Sequence, residues 1–216
     1  MTCADTLFND SFKKLPLVAI LRGIGVDEVE AISLTLYEQG FRLIEIPMNS
    51  PDALVSIARL ARCMPDDALC GAGTVLQVAS VAQLKDAGAR LVVMPHTDMD
   101  IIRAARQSGL CCIPGAATPT EIFAGLAAGA NAVKLFPAEL IRPSIVRSIR
   151  AVVPAEVKLL PVGGIDPAVM ADFLNAGASG FGLGSALYKP GMNLGDVAQR
   201  ARSFVQTWQA ISNLAR

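Results

Sequence analysis

The sequence predicts a (β/α)8 barrel, an α/β TIM-barrel fold built as a single domain over residues 1–216. Three observations carry that expectation. A short helical stretch stopped by glycine recurs before an apolar run: Gly40 before FRLIEIP, Gly88 before ARLVVMP, Gly109 before LCCIPG, Gly129 before ANAVKLFP and Gly177 before ASGFGLG. The runs are continuously apolar rather than alternating, as strands of a helix-covered parallel sheet are. Eight strand–helix units consume 216 residues and leave no length for a second domain. A doubly wound open sheet is the other arrangement of the same alternation, but the GxGxxG of its dinucleotide-binding form is absent.

Taken in order, the strands are expected at 17–21, 41–47, 68–73, 89–95, 110–115, 130–137, 157–162 and 178–184. A glycine just past a helix supplies the left-handed cap, so each of the five glycines ends a helix and admits a strand. Helical periodicity fills the intervals at 27–39, 50–63, 78–87, 98–107, 118–128, 142–152, 166–176 and 194–210. Several of these open on a capping side chain or on proline in the first turn.

Composition narrows the function. Hydrophobic residues make up 52% and charged residues 18%, too apolar for a disordered chain. Lys+Arg and Asp+Glu balance at 19 each, so no net field draws in nucleic acid or an anionic membrane. The longest apolar runs are about seven residues, far short of the roughly 20 that span a bilayer. The segment MTCADTLFNDSFKK lacks the apolar stretch of a secretory signal, so a cytoplasmic protein is expected. Five cysteines without CxxC spacing and the single His96 do not make a zinc site. Reduced, mostly buried thiols are expected, with no metal and no cofactor.

In such barrels chemistry sits at the C-terminal strand ends. Of six lysines, Lys13, Lys14, Lys85 and Lys189 lie in polar or turn contexts and Lys158 opens a strand at the opposite rim. Lys134 is different, set between Val133 and Leu135-Phe136-Pro137. Burial disfavours its charged form and yields the neutral amine that attacks a carbonyl. Glu45 is embedded in the same way in Leu43-Ile44-Glu45-Ile46-Pro47. Each lies five residues past its helix-stopping glycine, Gly40 or Gly129, so both should occupy one inward layer. The pair reads either as a buried ion pair or as a Schiff-base lysine with its proton-transfer partner.

Further groups gather at the same rim. Gly163 and Gly164, after Val162, follow the seventh strand, and Gly184 with Ser185 follows the eighth; backbone N–H groups there suit a phosphate. Arg22 and Thr74 end the first and third strands, where they would hold a carboxylate, form a rim salt bridge, or cap a helix. His96 reads as a loop hydrogen-bonder or an acid/base, and Asp98 as a helix cap. A phosphorylated sugar acid with a ketone would satisfy every group.

The segments Leu21-Arg22-Gly23-Ile24, Ile44-Glu45-Ile46-Pro47-Met48-Asn49-Ser50-Pro51, Gly71-Ala72-Gly73-Thr74, Lys134-Leu135-Phe136-Pro137-Ala138, Pro161-Val162-Gly163-Gly164 and Gly182-Leu183-Gly184-Ser185 resemble, in order, the 2-keto-3-deoxy-6-phosphogluconate/phosphogalactonate aldolase family. The resemblance runs from about residue 15 to 192. It implies a homotrimeric class I aldolase without a metal. Lys134 would form the imine at C2 and Glu45 would move protons at the C4 hydroxyl and the enamine carbon. Arg22 and Thr74 would bind near the carboxylate, and Gly163, Gly164, Gly184 and Ser185 would hold the phosphate. The products would be pyruvate and D-glyceraldehyde 3-phosphate. Met48-Asn49-Ser50, and Val162 in place of a hydroxyl side chain, resemble the phosphogalactonate branch. The gluconate epimer is the competing substrate, and a phosphosugar isomerase or binding barrel without aldol chemistry is the competing class.

Overall fold

The computed structural model describes residues 3–214. A helix α1 (Cys3–Lys14) leads into β1 (Leu17–Ile20), α2 (Val29–Glu38), β2 (Leu43–Pro47), α3 (Ala53–Cys63) and β3 (Leu69–Gly73). The chain continues through α4 (Ser80–Asp86), β4 (Leu91–Val93), α5 (Met99–Gln107), β5 (Cys111–Ile113), β6 (Gly115–Ala116) and α6 (Pro119–Ala127). It ends with β7 (Val133–Leu135), α7 (Pro143–Arg150), β8 (Leu159–Pro161), α8 (Met170–Asn175), β9 (Phe181–Leu183) and α9 (Leu194–Leu214).

All strand pairs are parallel, in the orders β5-β4-β3-β2-β1-β9 and β6-β7-β8. Two local features join these sheets into one barrel. A bridge from Val162 to Gly182 links β8 to β9. Only Pro114 separates β5 from β6, and its carbonyl accepts the Lys134 N–H at 2.8 Å, so β5 and β6 are one stave interrupted where proline has no N–H to give. The eight expected staves are therefore present, and β7 is the sixth.

Strand alternation sorts the core into two layers. Leu17, Ala19, Ile44, Ile46, Val133 and Leu135 pack outward against the helices. Val18, Leu43, Leu69, Leu91, Val93, Ile113 and Leu160 fill the barrel interior. The five helix-stopping glycines all take positive φ, as the sequence predicts.

The structure corrects the sequence reading at α1, where no helix was expected. Its Phe8 is 1% exposed and packs on the interior layer, closing the N-terminal end of the barrel. Asp5 is fixed there by Arg106 (2.7 Å) and by the Asn131 amide (2.7 Å). Helices also start later than expected: α3 begins at Ala53 because Asp52 adopts φ 43, and α8 begins at Met170 after a turn in which the Asp166 carboxylate accepts from the Ala168 and Val169 N–H groups. No helix among the described residues is long and apolar enough to cross a membrane.

Candidate active site

With α1 sealing one end, the other end is the way in. A cavity of about 440 Å³ opens there, at the C-terminal ends of the staves. It is lined by Arg22, Lys134, Val162, Gly163, Gly164, Gly184 and Ser185 among others. Beneath it lies a small apolar space walled by Val18, Ile20, Glu45, Ile113, Lys134, Val162 and Gly182. Lys134 borders both spaces, so the register argument holds: Val133 and Leu135 face the helices and the lysine faces in.

Lys134 is 5% exposed and Glu45 is 1% exposed. Burial pulls the Lys134 pKa below that of an ordinary lysine, Glu45 opposing and Arg22 reinforcing the change. Burial pushes Glu45 up to about 7, against the pull of Lys134 and then Arg22. Among the described residues no ion pair within 4.0 Å joins the two, which removes the buried salt bridge as their explanation. One carboxylate oxygen of Glu45, Oε2, is buried without a hydrogen-bond partner. The Lys134 Nζ sits 4.5 Å from the centroid of Phe136. A polar group buried and left unsatisfied is costly, and such groups mark places where another molecule completes the bonding.

Arg22 extends over the mouth. Its guanidinium donates to Asn49 Oδ1 at 2.7 Å and to Thr74 Oγ1 at 3.5 Å. No carboxylate pairs with it within 4.0 Å among the described residues, so the rim salt bridge is also excluded, and its charge reaches Glu45 only at longer range. Thr74 does not cap a helix either: α4 begins at Ser80, and Thr74 holds φ 54 at the end of β3. It lines a separate shallow depression with Met48, Asn49 and Leu76, and meets the main cavity through Arg22.

Gly163 and Gly164 take φ 108 and 63, left-handed backbone that side chains rarely adopt. Successive N–H groups in such a turn form a concavity suited to an anion. Gly184 faces open space, where a Cβ would meet nothing within 4 Å. Arg200 steadies this loop by donating to the carbonyls of Ser185 and Ala186, each at 3.3 Å.

Four residues at the mouth were not singled out from the sequence: Glu139, Lys189 and Arg200 line the cavity, and Asn49 lines the neighbouring depression. Asn49 stood within a quoted motif but had no role. Lys189 is exposed, as expected, yet lines the cavity beside Ser185. Glu139 follows the Lys134 stave and brings its carboxylate against Gly163 and Gly164. Arg200 lies on α9 with no local signal to single it out. His96 is exposed, its carbonyl accepting from the Gly115 N–H, and Asp98 caps α5 by accepting from the Asp100 and Ile101 N–H groups.

A parallel barrel with an amine, a carboxylate and an anion cradle at one mouth defines a barrel lyase acting on anionic carbonyl compounds. The comparisons are specific about which. The family model for KDPG and KHG aldolases matches residues 8–202, and the chain belongs to that family of aldolases. It is 46% identical over 196 residues, 91% of this chain and 92% of the other, to the probable 2-dehydro-3-deoxy-6-phosphogalactonate aldolase of Rhizobium meliloti (strain 1021). To the 2-dehydro-3-deoxy-6-phosphogalactonate aldolase of Escherichia coli (strain K12) it is 41% identical, covering 91% of this chain and 96% of that one. A solved structure described as native KDPGal superposes with TM-score 0.91 at 40% identity, covering 93% of this chain and 97% of that chain.

Proposed function

We propose that this aldolase cleaves 2-dehydro-3-deoxy-6-phosphogalactonate to pyruvate and D-glyceraldehyde 3-phosphate, in galactonate catabolism, with Lys134 as the imine-forming nucleophile. The observation that carries the reading is the desolvated, unpaired amine at the floor of the mouth with a proton-holding carboxylate beside it.

The neutral Lys134 amine adds to the C2 ketone; the carbinolamine hydroxyl takes up a proton from solvent at the open mouth and leaves as water, giving a protonated imine. The Glu45 carboxylate removes the proton of the C4 hydroxyl. C3–C4 then breaks, its electron pair flowing into the imine to leave an enamine, while C4 becomes the aldehyde carbon. Return of the proton from Glu45 to C3 and hydrolysis of the imine release pyruvate and restore the amine. A carboxyl group whose pKa lies near 7 can both take and give that proton at physiological pH. The positive Arg22, held by Asn49 and Thr74, receives the substrate carboxylate. Gly163, Gly164, Gly184 and Ser185, with Lys189 and Arg200 nearby, receive the phosphate.

Two features support the galactonate epimer. The relatives described above carry that name, and Val162, which lines both the open mouth and the apolar floor, offers no hydroxyl to the C4 oxygen. The protein is proposed to act as a cytoplasmic homotrimer. Leu76, Val78, Met99 and Phe123, each 44–56% exposed, lie on or just before the successive adjoining helices α4, α5 and α6, a flank suited to self-association. Cys70, Cys111 and Cys112 are buried free thiols pushed up to about 12 by desolvation, as suits a reducing compartment.

The test is borohydride trapping with pyruvate, read by mass spectrometry, beside kinetics on the two C4 epimers. The expected results are a stable adduct on Lys134 and a higher kcat/KM for the galactonate epimer. No adduct, or an adduct elsewhere, sinks the mechanism; preference for the gluconate epimer sinks the substrate assignment. Light scattering reads the assembly.

A further inference from the structure

Two glycines on β3 lack side chains for different reasons. A Cβ built on Gly71 would collide with the main chain of Leu91 on β4, which cannot yield without breaking the β3–β4 pairing. A Cβ built on Gly73 would find, as its three nearest neighbours, the Cδ, Oε1 and Oε2 atoms of Glu45. Gly73 lies outside the left-handed region, so its backbone accepts alanine without strain. What forbids a methyl group there is the carboxylate.

We infer that Gly73 is a positioning residue, its missing side chain forming the seat in which the Glu45 carboxylate rests clear of Lys134. The inference rests on the proposed role of Glu45 in proton transfer. A flexible glutamate in a dry barrel has an electrostatic reason to fold onto the nearest ammonium, and it would then hold that lysine charged and unreactive. The seat offers another position: Glu45 lies over Gly73, and no ion pair to Lys134 forms within 4.0 Å. The pairing register supports this, since Glu45 lies beside Gly71, and Pro47 beside Gly73, across the β2–β3 ladder. The carboxylate therefore leans along its neighbour stave towards the mouth, where a substrate hydroxyl would arrive.

The test is Gly73→Ala in two backgrounds. In the parent, the new methyl displaces the carboxylate and kcat for cleavage falls by at least about tenfold, within the range general acid/base groups contribute. The melting temperature and the borohydride-trapped adduct on Lys134 remain. In the Glu45→Asp background the shortened side chain no longer reaches the methyl, so the same substitution changes kcat by less than about twofold. Gly71→Ala is the contrast, lowering stability and every activity together. Parent-like kcat in Gly73→Ala overturns the inference, as does an equal loss in both backgrounds. So does misfolding that Glu45→Asp fails to relieve. If the parent itself traps no adduct on Lys134, or Glu45→Gln keeps full turnover, the proposed mechanism has failed and the role of Gly73 falls with it.

Discussion

Replacing Glu45 by glutamine should change the pH dependence of stability by an amount the structure supplies. Desolvation raises this carboxyl from its ordinary 4.5 to about 7, with Lys134 and Arg22 pulling the other way. The folded state thus holds the proton more tightly than the unfolded chain does. Its stabilising contribution is complete below pH 4.5 and is lost as pH rises towards 7. At about 1.4 kcal/mol for each pH unit, the parent should lose about 2–3 kcal/mol between pH 5 and pH 8 from this group. Glutamine cannot ionise and carries no such slope. Removing the carboxylate also withdraws support from the Lys134 ammonium, which trims the gain, so the figure is an upper bound. Urea unfolding of parent and Glu45→Gln at pH 5 and pH 8, at one protomer concentration, measures the difference. Other titrating groups are common to both proteins and cancel. The variant should gain on the parent as pH rises. A stability difference that stays constant across the two pH values to within about 0.5 kcal/mol would refute a desolvated Glu45.

Lys134→Met should abolish cleavage and adduct trapping while the melting temperature, read by circular dichroism, does not fall, because no hydrogen bond or ion pair of the Nζ is lost; substantial remaining turnover would remove the imine. Asn49→Leu takes away the 2.7 Å acceptor of Arg22 and should raise KM for the keto acid about fivefold with kcat close to the parent value, in steady-state kinetics. A fall in kcat at unchanged KM would place Asn49 elsewhere in the mechanism. Glu139→Gln removes a negative charge from beside Gly163 and Gly164 and should lower KM for phosphorylated substrates severalfold at low salt, with pyruvate binding unchanged. Equal effects on both ligands would show that Glu139 does not attend the phosphate.

The barrel and its two central residues were legible because they depend on local pattern. A glycine stop fixes where each stave starts, and counting five residues onward puts Glu45 and Lys134 on the inner face with Val133 and Leu135 on the outer one. The residues that escaped depend on contacts distant in sequence. Nothing near Arg200 indicates that α9 reaches back to the loop of Ser185, and nothing near Asn49 says that Arg22, 27 residues earlier, bonds to it. The break between β5 and β6 has its cause in plain view at Pro114, yet only the barrel shows that the neighbouring stave bonds to that proline's carbonyl. The first helix was readable in part. Ala4, Phe8 and Ser11 fall at helical spacing and are buried together with Asp5, but flanking polar residues dilute the signal and the lid's purpose appears only once the barrel has an end to close.

That lid has a consequence for chemistry at the far end. Burial is what pulls the Lys134 pKa down, and that burial is guarded from below by Phe8, which lines neither the mouth nor the apolar floor. Fusions, tags or trimming that unseat Phe8 would wet the barrel from underneath. The amine would then drift back towards ordinary lysine behaviour, and the pH profile of adduct formation would move to more alkaline values with every residue of the mouth intact. The helix Cys3–Lys14 thus bears on the reactivity proposed for Lys134 as much as on the scaffold.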